Sequence, residues 1–347
     1  MHQTIHGLRF GLSLPNRAVL FGTPVDALLT AAQQAEESGL FDSVWVGDNL
    51  LSKPRLEAIV TLSALATCTR RVRLGTICMA SFPLRHPLLF AIQWASLDIL
   101  SNGRTLLTVC AGGSASKGPR FAAELHALGV PSNERIPRME EGIALLRQFW
   151  QGETVSHRGR FYQFEDVQVL PQPVQQPMPI LIAVNPVRPV DAAVEERALR
   201  RVARLADGWQ TDGTPPHVFG ERWQRIQEYA TEYEREGALR ESVLHLMVNI
   251  NDDTATALRE SVTFLEGYYG KGGVTQEKLD SWLAYGSPAA VIEKIGQFIE
   301  AGCTTPVLRF TSPDQIGQLE RCIADVLPAF QSRMAASIAP HTGGAAQ

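Results

Sequence analysis

The sequence predicts an α/β chain closed as a (β/α)8 barrel, and three observations predict it. Apolar, β-branched runs alternate with helical periodicity eight times along the 347 residues. One unit carries full punctuation: Leu97 to Leu100 reads as the end of a buried helix, Gly103 as its left-handed stop, Thr105 to Cys110 as a strand, and Gly112-Gly113 as the loop beyond it. The segment after the first strand, Pro15 to Gly22, lacks the glycine spacing of a dinucleotide-binding open sheet, the main structural competitor. Parallel strands need crossover helices and bury both faces, so eight units in one chain suit closure.

The first strand is expected over Leu8–Leu14, followed by a helix over Pro24–Ser38 that Gly39 stops. A strand at Ser43–Gly47 and a helix at Arg55–Thr69 form the second unit. The third pairs Arg73–Ala80 with the helix Pro87–Ser101, whose proline suits a first turn. The fourth strand, Thr105–Cys110, leads to a helix over Ile136–Trp150. There Ile136, Met139, Ile143, Leu146 and Trp150 are spaced for one buried face. Strands then follow at Pro179–Val184, Gly208–Thr211, Ser242–Ile250 and Pro306–Phe310. Their helices are expected at Val194–Ala206, Phe219–Glu236, Asp253–Glu266 and Asp314–Leu327, with one more, Pro288–Ala301, before the last strand.

Two stretches break the alternation. Within 152–177, the runs Val155–Phe164 and Val167–Leu170 suggest a hairpin added outside the barrel, ending in the stiff connector Pro171–Pro177. Residues 267–287, with Tyr268, Tyr269 and three glycines at 270, 272 and 273, read as a lid-like loop before the last strand or as a plain surface loop. Residues 1–331 are expected to form one domain, and the small, polar stretch 332–347 a disordered tail.

A net charge of −4 gives no field to recruit nucleic acid or an anionic membrane, and the apolar runs are too short to span a bilayer. Five cysteines without metal-type spacing, and no secretory segment at the N-terminus, point to free thiols, no metal site and a cytoplasmic protein. The expected partner is a small organic molecule.

Four motifs, in this order, carry a resemblance: Phe41-Asp42-Ser43-Val44-Trp45-Val46-Gly47-Asp48; Thr69 to Thr76 with Pro83-Leu84-Arg85-His86-Pro87; Leu97-Asp98-Ile99-Leu100-Ser101-Asn102-Gly103-Arg104; and Arg204-Leu205-Ala206-Asp207-Gly208-Trp209. Over roughly Leu8 to Phe310 the chain resembles the bacterial luciferase-like superfamily of flavin- and deazaflavin-dependent barrel oxidoreductases. The resemblance implies a coenzyme ring lying across the C-terminal mouth of the barrel, with the protein positioning it and excluding water. It implies, as first reading, a monooxygenase using reduced FMN and oxygen, the flavin supplied by a separate reductase. A deazaflavin-dependent oxidoreductase performing hydride transfer is the alternative. A non-catalytic flavin-binding protein is a second alternative. A homodimer through the early helices is also implied.

By position, the resemblance assigns catalytic candidates Asp48, Asn49 and His86, and coenzyme contacts Ala80, Ser81, Cys110, Gly112 and Gly113. Asp48 would accept a hydrogen bond from ring or substrate, or cap the next segment. Asn49 stands where relatives often carry histidine; an amide donates a hydrogen bond but is no general base at neutral pH. His86 suits a structural role better than proton transfer. The glycines would admit a ring or only a turn. The coenzyme phosphate is expected near Ala183 to Arg188, with Asn185 and Arg188 as ligands, although Pro186 removes one amide donor. Asp207 is expected at the barrel bottom and Trp45 in the core.

Overall fold

A computed structural model describes residues 7–186, 189–270 and 274–335. Arg188, the side chains of Tyr268 and Tyr269, and residues 336–347 of the expected tail lie outside the described residues. Eleven strands occur in chain order: β1 (Gly11–Leu14), β2 (Ser43–Asp48), β3 (Arg73–Met79), β4 (Thr105–Val109), β5 (Val155–Arg158), β6 (Gln163–Val167), β7 (Ile180–Ala183), β8 (Gly208–Asp212), β9 (Glu241–Ile250), β10 (Leu283–Gly286) and β11 (Thr305–Phe310). Eight of them, β1-β2-β3-β4-β7-β8-β9-β11, pair in parallel, and β11 meets β1 to close the (β/α)8 barrel.

Twelve α-helices accompany them: α1 (Val25–Ser38), α2 (Ala58–Cys68), α3 (Pro87–Leu100), α4 (Pro119–Ala127), α5 (Arg135–Phe149), α6 (Ala192–Leu205), α7 (Pro216–Glu232), α8 (Thr254–Tyr269), α9 (Gln276–Trp282), α10 (Pro288–Glu300), α11 (Gln315–Arg321) and α12 (Gln331–Ala335). Asp191 and Asp253 cap α6 and α8 through backbone amides, and Gly39 ends α1 in the left-handed conformation. Outward strand residues such as Val44, Leu107, Ile182 and Leu246 join the helices in one large core.

Inward residues form layers. At the bottom, Arg73 bridges Asp42 (2.6 Å) and Glu241 (2.6 Å), and Arg9 reaches Glu241 at 2.9 Å. Asp207 is also at this end: it accepts from the Ile180 amide and pairs with Arg147, both at 2.8 Å. Above the charges sits an apolar layer of Trp45, Ile77, Leu106, Leu181, Val243 and Val307. Trp45 is wholly buried, its indole donating to Ser43 Oγ at 2.8 Å. A methyl group at Gly11 or Gly75 would overlap its ring, so two bare backbones make room for one large side chain. Burying that ring contributes about 3 kcal/mol.

The structure departs from the sequence expectations in four places. The hairpin is present, but its turn lies at 159–162, because the Glu141 carboxylate on α5 takes the amides of Phe161 and Tyr162. The lid-like loop is replaced in part by α9 and β10, since Leu279, Trp282 and Leu283 bury against Met247 and Leu265. There β9 is shared: β8 pairs with Glu241–His245 and β10 with Met247–Ile250 on the same edge. The final helix breaks after α11 into a π turn and a 3-10 turn, where Pro328 cannot supply the helical amide, and α12 then takes in 332–335 of the expected tail. Helix α4 has no counterpart in the sequence reading. No described helix is long and apolar enough to cross a membrane.

Candidate active site

Strand ends at the C-terminal mouth carry most of the expected residues. Ala80 and Ser81 follow β3, and Cys110 to Gly113 follow β4. Gly112 has φ +65°, and a Cβ there would lie 2.5 Å from the Ala80 carbonyl oxygen, so both backbone angle and close approach require glycine. At Gly113 a Cβ would strike the Phe121 ring of α4. Arg135 Nη1 donates to the carbonyls of Ala111 (2.8 Å) and Gly112 (2.7 Å), leaving amide N–H groups as what this loop offers a ligand. The expectation of free thiols is corrected for two cysteines: Cys78 and Cys110, with Cα atoms 6.1 Å apart, form a disulfide. A register shift in β3 between Gly75 and Met79 brings Cys78 level with the end of β4.

Asp48, at 3% exposure, is tied to this wall. Its carboxylate accepts from the Ser81 amide at 2.7 Å and from Arg85 Nη2 at 3.3 Å, and Arg85 also holds Glu57 at 2.6 Å and Ser81 Oγ at 2.7 Å. Burial raises the Asp48 pKa, opposed by the Arg85 charge and the Ser81 hydrogen bonds. Asn49 points elsewhere: it donates to Ser52 Oγ and accepts from Arg55 Nη2, each at 3.2 Å. His86 is not brought to this cluster. Its exposed ring packs edge-on against Tyr162 and Phe164 of the hairpin, with centroids 5.7 and 5.6 Å away.

Asn185 is fastened on every side. Its amide donates to Asp212 Oδ1 at 3.0 Å and to the Asp212 carbonyl, and its oxygen accepts from Thr214 Oγ1 (3.2 Å) and Arg222 Nη1 (3.1 Å). The buried Arg222 pairs in turn with Glu195 at 2.7 Å and donates to the Pro186 carbonyl. These contacts fix the loop after β7 to the loop after β8.

Four residues given no functional role in the sequence reading line a cavity on the opposite side of the mouth: Arg17, Arg55, His245 and Arg309. Arg55 crosses the bare backbone of Gly47 and donates to the Lys53 carbonyl at 3.1 Å as well as to Asn49. Arg309 lies over the Phe264 ring at 5.4 Å and reaches the Ser13 carbonyl at 3.5 Å. Two sequence signals were available: a cation inside the apolar run Thr305 to Phe310, and a histidine between Leu244 and Leu246. Glu124 was likewise unforeseen: from α4 it accepts the amides of Leu50, Leu51 and Ser52, fixing the loop after β2.

A family model described as luciferase-like monooxygenase matches residues 8–305. The chain belongs to the luciferase-like monooxygenase family. It is an oxidoreductase. Curated relatives include an F420-dependent glucose-6-phosphate dehydrogenase of Beutenbergia cavernae, 28% identical over 333 residues that span 88% of this chain and 94% of the relative. A protein of the same name from Kineococcus radiotolerans is 25% identical over 329 residues, 86% and 90% of the two chains. Among solved structures, the monooxygenase RslO1 from Streptomyces bottropensis matches with TM-score 0.77 at 20% identity, covering 93% of this chain and 100% of that one. An F420-dependent secondary alcohol dehydrogenase bound to an F420-acetone adduct matches with TM-score 0.75 at 17% identity, covering 93% and 99%. These two share the fold of this luciferase-like chain.

Proposed function

We propose that this member of the luciferase-like family is a deazaflavin-dependent oxidoreductase acting on a small organic substrate. The observation that carries the reading is the run of relatives matched along nearly their whole length and named as F420-dependent dehydrogenases. It favours the deazaflavin alternative over the reduced-FMN monooxygenase that the resemblance first implied. The residues present fit such a ring. The wall of Ala80, Ala111, Gly112 and Ala183 is uncharged, and among the described residues Thr108 Oγ1 and Gln210 Oε1 are buried without a hydrogen-bond partner. Alternation along β4 and β8 turns both toward the barrel interior, a donor and an acceptor suited to the polar edge of a ring.

When bound, the coenzyme supplies or receives the hydride. Ala80, Ser81 and the loop Cys110 to Gly113 would hold its ring, with amides at the loop after β7 near its phosphate. Asp48 acts here as a positioning residue, fixing Ser81 and Arg85 behind the wall. Asn185 holds the phosphate loop in shape, its own hydrogen-bonding groups being taken by protein.

Anaerobic titration with F420 and with FMN, followed by coenzyme fluorescence, tests the reading. Saturable F420 binding at least tenfold tighter than FMN is expected. Tighter FMN binding, with substrate-stimulated oxygen uptake once a reductase is added, would restore the monooxygenase reading.

A further inference from the structure

The five cysteines divide into two groups by place. Cys303 and Cys322 are buried in the core, where burial pushes the Cys303 thiol up to about 12 and raises that of Cys322 too, and burial also raises the thiol of Cys68 on α2. These three hold their protons more tightly than a free thiol does. Cys78 and Cys110 are half-buried at the rim of the mouth, on neighbouring strands, and bonded to each other. Their Cα separation of 6.1 Å lies within the span of about 4.4–6.8 Å that a disulfide crosses. Gly75 pairs with Leu106 but Met79 with Val109, so β3 carries one residue more than β4 over that stretch. Strict alternation would send Ile77 and Met79 to the same face; instead Ile77 joins the interior layer and Met79 the outer core, and the extra residue leaves Cys78 on the face of Cys110.

The pair is set where the two loops of the coenzyme wall touch. Ala80 lies two residues beyond Cys78 and Gly112 two beyond Cys110, and a Cβ on Gly112 would lie 2.5 Å from the Ala80 carbonyl oxygen. Each loop is also held by a partner of its own: Ser81 gives its amide to Asp48 at 2.7 Å, while Arg135 donates to the Ala111 and Gly112 carbonyls at 2.8 and 2.7 Å. Across the seam run the disulfide and the hydrogen bond from the Cys110 N–H to the Met79 carbonyl, long at 3.4 Å. Opening the disulfide leaves a weak tie between two separately anchored loops.

We infer that Cys78 and Cys110 are a reversible thiol–disulfide pair whose oxidation locks the two loops of the wall together, whose reduction frees them, and which thereby sets how firmly the coenzyme ring is held. The oxidant is hydrogen peroxide, reaching the half-exposed sulfurs from the mouth. One thiolate attacks the peroxide O–O bond, becomes a sulfenic acid and releases the first water; the other attacks the sulfenic sulfur, forms the S–S bond and expels hydroxide, which leaves as the second water once protonated. Two thiols thus lose two electrons and two protons, and the peroxide takes them up. A small dithiol reverses the change by exchange, restoring both thiols and departing as its own disulfide. In the dithiol state the two sulfurs need van der Waals separation, so the strand ends part and the loops move independently.

The link to the coenzyme rests on the proposed function; the pair itself is tested apart from it. The full-length protein is compared after hydrogen peroxide and after dithiothreitol, with thiols counted in denaturant and amide hydrogen exchange read by mass spectrometry. Five thiols are expected in the reduced protein and three in the oxidised one, with Cys78 and Cys110 joined in the peptide map. Exchange over 79–85 and 110–118 should run at least fivefold faster after reduction, and F420 should bind at least fivefold more weakly. Cys110→Ser should match the reduced parent under both conditions, and Cys68→Ser should keep the full response. Five thiols after peroxide, a pairing other than Cys78 with Cys110, or equal exchange in the two states would overturn the proposal, and none of these needs a variant to fold. Equal F420 affinity in the two states would overturn it as well. If F420 binds neither state, the functional reading falls, and the thiol counts and exchange rates still decide this one.

Discussion

The two sides of the barrel mouth are built from different materials. The wall after β3 and β4 is made of backbone: glycines forced by angle and by close approach, a disulfide between neighbouring strands, carbonyls pinned by Arg135. The throat between β1, β2, β9 and β11 is made of long side chains that converge from positions 17, 55, 245 and 309. A backbone surface presents shape and amide groups and changes little with the residue type; a side-chain surface presents charge and can be rewritten one residue at a time.

The contrast fails first if the layer beneath both sides is removed. Trp45→Ala should cost about 3–5 kcal/mol in urea unfolding and weaken F420 binding at least tenfold; unchanged F420 affinity in the folded variant would mean that the wall does not rest on this floor. A sharper cut is Gly112→Ala, which imposes a Cβ at φ +65° against the Ala80 carbonyl. A destabilisation of about 2–3 kcal/mol is expected, with F420 affinity reduced at least tenfold. Unchanged F420 affinity would separate this wall from the coenzyme.

The smallest test uses pH. The folded-state pKa of His245 is depressed from 6.5 to about 3, so its contribution is fully present above pH 6.5 and is lost as pH falls, because the unfolded chain takes up the proton first. Between pH 7.5 and 5 the parent should lose about 2 kcal/mol more stability than His245→Gln. Gly112→Ala should keep that difference unchanged, since it alters only the wall. Parallel pH curves for the parent and His245→Gln would show that the imidazole is not held in a buried, positive setting.

The same division explains what could be read before any coordinates. Strands such as Ser43–Asp48 and Thr105–Val109 are short apolar runs bracketed by breakers, and their positions in the sequence set the barrel and its wall. Gly112 was recognisable because a special backbone angle leaves a residue-type signature. The convergence of Arg17, Arg55 and Arg309 was not, because it depends on inward alternation and on closure of β11 against β1 across nearly the whole chain. His86 and Asn185 were legible as positions but not as roles. Order along the chain puts each near the expected mouth, yet one is packed on a hairpin and the other is taken up by four hydrogen bonds to Asp212, Thr214 and Arg222. The helix α4 escaped because its anchor, Glu124, is a buried charge whose acceptor role appears only once the loop after β2 lies over it.

Trp45 and the bare positions Gly11 and Gly75 also bear on how this barrel can drift through evolution. A side chain at either glycine has no room while the indole is present, and the indole leaves a void if it is lost alone. The three positions therefore change as a set or not at all. Descendants that carry a smaller residue at 45 are the ones in which 75 is free to acquire a side chain, while 11 also waits on Val307, so the floor beneath the barrel mouth is inherited as a linked set.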